Sequence, residues 1–150
     1  MGFSSSGTSE VTPVLKWFAA MNSSFMALTG TWVVAAGATD QGGGHIVTST
    51  NTQNDEVGFG SFLIKEAGNY TLYFIHGTNP GYAIAHFMLN GVDTAEIDCY
   101  TAGGVSNVHT SVSLGTLTAG DKTLSVKLVD KNASSSAFEM YFYSIIIVKT

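Results

Sequence analysis

The sequence predicts an all-β sandwich, and three observations carry that reading. The first is the run Ala67-Gly68-Asn69-Tyr70-Thr71-Leu72-Tyr73-Phe74-Ile75-His76. Gly68 and Asn69 mark a turn, and the β-branched and aromatic residues that follow fit a pleated, buried surface better than a helix. Alternation places Tyr70, Leu72 and Phe74 on one face and Thr71, Tyr73 and Ile75 on the other. Both faces are mostly apolar, so this is a central strand covered on both sides. The second observation is recurrence: similar runs follow at short intervals, with turn residues in each gap. The third is the use of 17 glycines and many Ser and Thr, which suits short strands joined by tight turns. At 150 residues the chain suits one domain whose core needs no disulfide or metal staple.

In chain order, residues 1–10 are small and polar and read as a flexible arm. Thr12-Pro13 then has the form of a helix start, a hydroxyl N-cap with proline at the first helical position. Val14, Phe18, Met21, Phe25 and Leu28 follow at spacings of four, three, four and three, the seam of a helix that meets partners. Asn22-Ser23-Ser24 works against helix propensity, and the same seam would equally serve a helix lying on the domain's own sheet. The expected organisation is residues 1–30 as arm and short helix, for attachment or oligomerisation, and residues 31–150 as the sandwich.

From Thr31 the pattern is β throughout. The expected strands are Trp32–Ala36, His45–Ser49, Glu56–Ile64, Asn69–Gly77, Tyr82–Leu89, Val92–Tyr100, Asn107–Leu114, Lys122–Val129 and Ala137–Lys149. Asn90-Gly91 supplies the two positive φ angles of a type I′ hairpin between the fifth and sixth of them. Leu124, Val126 and Leu128 point inward and Thr123, Ser125 and Lys127 outward, so that strand has one solvated face. The last strand differs, because both of its faces are apolar for most of its length. Strict alternation would leave Tyr141, Tyr143, Ile145 and Ile147 on the outer face, a patch that a neighbouring subunit or the N-terminal helix would have to cover.

Chemistry is sparse. Only 11% of residues are charged, the six basic residues are all lysine and the net charge is −5, which argues against binding nucleic acid. No apolar run approaches membrane-spanning length, and no secretory leader is read at the start. The chain carries no phosphate loop, nucleophile elbow or dinucleotide fingerprint, so no catalytic residue and no cofactor is assigned. His45, His76, His86 and His109 lie in strand patterns without the ligand spacing of a zinc site, and His76 with His86 is the pair that neighbouring strands could bring together. Asp93, Glu96 and Asp98 suit either a hard cation or, preferably, an edge strand kept soluble by charge. Cys99 stands alone in a strand pattern as a buried, inert thiol. No metal is assigned. Trp17, Trp32, Tyr82, Tyr100, Tyr141 and Tyr143 include platforms for stacking a sugar ring, although core packing explains most of them equally well.

The segments Ala67-Gly68-Asn69-Tyr70-Thr71-Leu72, Phe87-Met88-Leu89-Asn90-Gly91, Ile97-Asp98-Cys99-Tyr100, Leu117-Thr118-Ala119-Gly120-Asp121-Lys122-Thr123-Leu124 and Lys131–Phe138 occur in an order that resembles a jelly-roll β-sandwich of bacteriophage virion proteins. Head fibres, capsid decoration proteins and tail appendages are of this kind. The order is similar, more distantly, to non-catalytic carbohydrate-binding modules. The resemblance covers residues 31 to 150 and implies a jelly roll of about eight to nine antiparallel strands. It also implies trimerisation and a binding or structural role in place of catalysis. The function expected from it is a capsid decoration or head-fibre-type subunit on the virion surface. Its partners would be its own copies, as a homotrimer, and the major capsid or another virion protein. Val14, Phe18, Met21, Phe25, Leu28, Tyr141, Tyr143, Ile145 and Ile147 would form the contacts. The alternative is a module that binds carbohydrate or a host receptor, with a cell-surface glycan as partner. The stacking aromatics and carboxylates of the sugar-binding modules do not map onto defined positions here, so no sugar-binding residue is carried over.

Overall fold

The computed structural model describes residues 11–18, 25–36, 44–50 and 52–150. The strands are β1 (Leu15–Phe18), β2 (Met26–Thr29), β3 (Thr31–Ala36), β4 (Gly44–Thr50), β5 (Glu56–Ile64), β6 (Gly68–Thr78), β7 (Ile84–Leu89), β8 (Val92–Asp98), β9 (Val105–Leu117), β10 (Gly120–Lys127) and β11 (Met140–Lys149). They form two antiparallel sheets. One has the order β3-β4-β11-β6-β9, with β1 added to β11 where β4 stops, and the other the order β2-β5-β10-β7-β8. The fold is the predicted all-β sandwich. All nine strands expected from Trp32 onward are present, with ends shifted by a few residues.

The alternation read in the sequence holds at the centre. Tyr70, Leu72 and Phe74 of β6 and Leu124, Val126 and Leu128, in and after β10, are all buried between the sheets. The middle of the core is aromatic. The Phe74 ring meets Phe87 across the sandwich at 5.1 Å and Phe142 of the neighbouring strand at 5.3 Å. Trp17 lies 4.9 Å from Phe59 and 5.7 Å from Phe142. These rings join the two sheets through packing that buries large apolar areas. The Asn90-Gly91 hairpin forms as expected, with φ of 52° and 75°.

The helix expected over Val14–Leu28 is corrected wherever that segment is described. Leu15–Phe18 and Met26–Thr29 are strands, and no helix occurs among the described residues. Met21 lies outside them. The reason is tertiary. β11 outruns β4, which pairs only with residues 140–142, and its exposed main-chain groups over 144–147 need partners. β1 supplies them, with Leu15 opposite Ile147, Phe18 opposite Ser144, and the Val14 amide on the Ile147 carbonyl at 2.9 Å. Alternation then buries Trp17, at 1% exposed, and turns Lys16 out. A helical seam would have placed neither residue so.

The outer patch expected on the last strand is also corrected. A β-bulge between Phe142 and Ser144 breaks the two-residue period. Phe142 points inward before it, Ile145 and Ile147 point inward after it, and both isoleucines are 0% exposed. Ile146 and Val148, half-buried, take the outer face instead.

Candidate functional site

At the end of the sandwich where β6 stops and β11 starts, three connections converge: residues 79–83, 99–104 and 128–139. None is regular, yet main-chain bonds stitch them together. The Ala83 amide donates to the Glu139 carbonyl at 2.8 Å, the Glu139 amide to the Gly81 carbonyl at 3.0 Å, and the Ser136 amide to the Pro80 carbonyl at 2.9 Å. Ser135 Oγ donates to the Tyr82 carbonyl at 2.8 Å. Asn79 joins through its amide to the Cys99 carbonyl at 3.2 Å. Backbone tied in this way holds side chains in place much as a strand would.

On this frame stands a row of three tyrosines. The half-buried rings of Tyr82 and Tyr141 are 6.1 Å apart at 63°, and Tyr141 and Tyr143 are 5.0 Å apart at the same angle. The hydroxyls of Tyr141 and Tyr143 bond to each other. Gly77 makes room for this row, because a Cβ there would fall 2.1 Å from the Tyr141 ring. The half-buried Glu139 carboxylate passes over Gly81, its Oε2 3.0 Å from where a Cβ would stand. Burial, then the neighbouring Tyr141 and Glu139, push the Tyr82 hydroxyl well above the ordinary tyrosine range, so it stays protonated and able to donate.

The histidines singled out as a pair sit on different sheets, His76 on β6 and His86 on β7. His76 is buried; its Nδ1–H donates to the Gly77 carbonyl at 2.9 Å, leaving Nε2 to accept from Thr110 Oγ1 at 2.9 Å. Burial holds its pKa below the usual value. His86 is also buried, but Asp93 and Asp130 each approach a different ring nitrogen at 2.8 Å, with Glu96 at 3.8 Å. Two carboxylate acceptors require two N–H donors, which is the imidazolium ion. Burial alone would depress its pKa, yet the bonds to Asp130 and Asp93 and their charge outweigh that and raise it. The acidic cluster is thus divided. Asp93 and Glu96 face His86, and Asp98 accepts from the Asn132 side-chain Nδ2 at 2.7 Å. Among the described residues no three His, Cys, Asp or Glu side chains are arranged to hold a metal ion. Cys99 is buried, and burial first, then Asp98, hold its thiol protonated.

The expected contact residues scatter. Tyr141 and Tyr143 belong to the tyrosine row, and Ile145 and Ile147 to the core. Val14, Phe18 and Phe25 are half-buried, and Leu28 is exposed against Gly58. Glu139 was not singled out in the sequence. The one signal that could have found it is Gly77, a glycine at a strand end and a mark of close approach, which was not singled out either. At the opposite end a groove of about 780 Å3 is lined by Val11, Val14, Leu63, Lys65, Glu66 and Lys149, among others. Its one aromatic, Tyr70, is 1% exposed and donates its hydroxyl to the Glu66 carbonyl at 2.7 Å, so it offers no ring face.

No family model matches the sequence, and no curated protein is matched by it. Solved structures are matched. A carbohydrate-binding module of the CBM6 type from Cellvibrio mixtus lichenase 5A, in complex with cellotriose, superposes with a TM-score of 0.64 at 15% identity, over 93% of this chain and 99% of the module. A family 35 carbohydrate-binding module from Clostridium thermocellum gives 0.63 at 16%, over 90% of this chain and 98% of the module. The fold is that of these modules. A xanthan lyase from Paenibacillus gives 0.70 at 23% identity over all of this chain, which spans only 14% of the lyase chain. At such identities the likeness is one of fold. It agrees with the more distant of the two resemblances read in the sequence, and the virion and trimer expectations gain no support from it.

Proposed function

We propose that this domain binds carbohydrate without transforming it, through the Tyr82–Tyr141 end of the sandwich. The observation that carries this reading is the pair of half-buried tyrosine rings, 6.1 Å apart, Tyr82 on a connection locked by main-chain bonds and Tyr141 at the start of β11, beside the Glu139 carboxylate. A pyranose has C–H groups on its faces and hydroxyls around its rim. Tyrosine rings accept the first, and a carboxylate and a protonated phenol pair with the second. Locked connections lower the ordering cost of binding. The fold likeness supports the reading, since one similar module is seen with cellotriose and another of the CBM36 type with calcium and xylotriose.

Among the described residues, His76, His86 and Cys99 offer no free group for catalysis. Acid–base chemistry needs a group free to exchange a proton with substrate. Both ring nitrogens of His86 face carboxylates, His76 is bonded at both, and the Cys99 thiol is protonated and buried. Affinity electrophoresis through gels containing soluble polysaccharides tests the proposal. Wild type is expected to be retarded in at least one gel. Tyr82→Ala is expected to bind about tenfold or more weakly, as loss of a central aromatic contact does. Tyr73→Ala, on the outer sheet face at 45% exposed, should leave the retardation unchanged. Loss in Tyr73→Ala with none in Tyr82→Ala would place the site elsewhere.

A further inference from the structure

The charges of the sandwich are segregated along its length. The end with the tyrosine row holds Glu139 beside Tyr82, Asp98 closing β8, Asp130 on the 128–139 connection, and Asp55 and Glu56 where β5 begins. Against these five carboxylates the same end has, among the described residues, Lys127 and Lys131. Lys127 is opposite Glu56 on one neighbouring strand and His86 on the other, and the Lys131 ammonium lies 5.3 Å over the Phe138 ring. The imidazolium of His86 is enclosed by Asp93, Glu96 and Asp130. The opposite end is nearly balanced among the described residues, with Lys65, Lys122 and Lys149 against Glu66 and Asp121. The whole chain has no arginine.

An acidic or uronate-bearing glycan needs cations, best of all the two-pronged guanidinium, wherever its carboxylates fall. At this site the charged group that meets the tyrosine pair is Glu139. Residue 139, on the 128–139 connection, pairs with Tyr82 through an isolated parallel bridge, and its carboxylate raises the proton affinity of the Tyr82 hydroxyl. A carboxylate so placed accepts hydrogen bonds from neutral sugar hydroxyls and repels a sugar carboxylate. We propose that the site selects uncharged oligosaccharides, with Glu139 as a specificity-determining residue. This rests on the carbohydrate-binding reading and extends it to the class of ligand.

The test compares retardation of the full chain in gels of neutral polysaccharide (mixed-linkage β-glucan, arabinoxylan, galactomannan) and of polyuronate (polygalacturonate, alginate). Both are run at low and high salt. Retardation by at least one neutral polymer is expected, with affinity for both polyuronates weaker by about tenfold or more at low salt. Glu139→Gln keeps the main-chain bonds of residue 139, so it is expected to fold. It should narrow that gap, as should salt, which screens charge over about 10 Å at 0.1 M. Polyuronate binding as strong as neutral binding would overturn the selectivity while leaving carbohydrate binding in place. An unchanged gap in Glu139→Gln would overturn the role given to Glu139. No retardation in any gel would overturn both readings.

Discussion

At the scale of single residues, the two buried histidines carry opposite pH dependences. His86 has a folded-state pKa above the unperturbed 6.5. Its contribution to stability is therefore complete below about pH 6.5 and is lost as pH rises through the raised value. His76 has a folded-state pKa below 6.5. Its neutral ring contributes above 6.5, and that contribution is lost as pH falls toward the lowered value. Melting temperatures between about pH 5 and 9 should thus separate the variants. The deficit of His86→Asn is expected to be largest in acid and to shrink as pH rises, and that of His76→Gln to run the other way. Parallel deficits at all pH values would contradict the assignment of an imidazolium at one site and a neutral imidazole at the other. None of this was legible in the sequence, where the two residues looked like one pair. Their separate fates depend on which sheet each strand joins and on Asp130, 44 residues from His86.

At the scale of elements, the strands from β3 onward were legible because composition and alternation agree in each of them. β1 was not. Its four residues carry too little pattern to outweigh the four-three spacing of Val14 to Leu28, and its partner lies near the far end of the chain. The β11 bulge was equally hidden, since Phe142 to Val148, Ser144 apart, is apolar or aromatic at either register. β1 is a structural strand, and its energetics should show it. Trp17→Ala should cost about 3–5 kcal/mol, because the indole is enclosed by Phe59 and Phe142 and its loss leaves a cavity. Lys16→Ala, one residue away and facing solvent, should stay within about half a kcal/mol. Urea denaturation measures both. Similar small losses would show that the sandwich does not depend on β1.

At the scale of the whole molecule, the fold was the most legible property and the site the least. Tyr82 and Tyr141 were recognisable as aromatics suited to a sugar, but so were four others: Trp17 and Trp32 are buried in the core, Tyr143 is 3% exposed, and Tyr100 is half-buried on the 99–104 connection, outside the tyrosine row. What selects the pair is the meeting of residues 79–83 with 128–139, held by bonds between segments some 50 residues apart. The same topology gathers an excess of carboxylates at that end and leaves the other nearly balanced among the described residues, a polarity that a net charge of −5 does not reveal. Binding of carbohydrate at this end is tested most directly by titrating the isotopically labelled protein with an oligosaccharide of a polymer that retards it, and following amide chemical shifts. Shifts concentrated at residues 79–83 and 135–143 are expected. Shifts confined to the Tyr73 face or to the groove near Leu63 and Lys149, or none with any oligosaccharide, would contradict it.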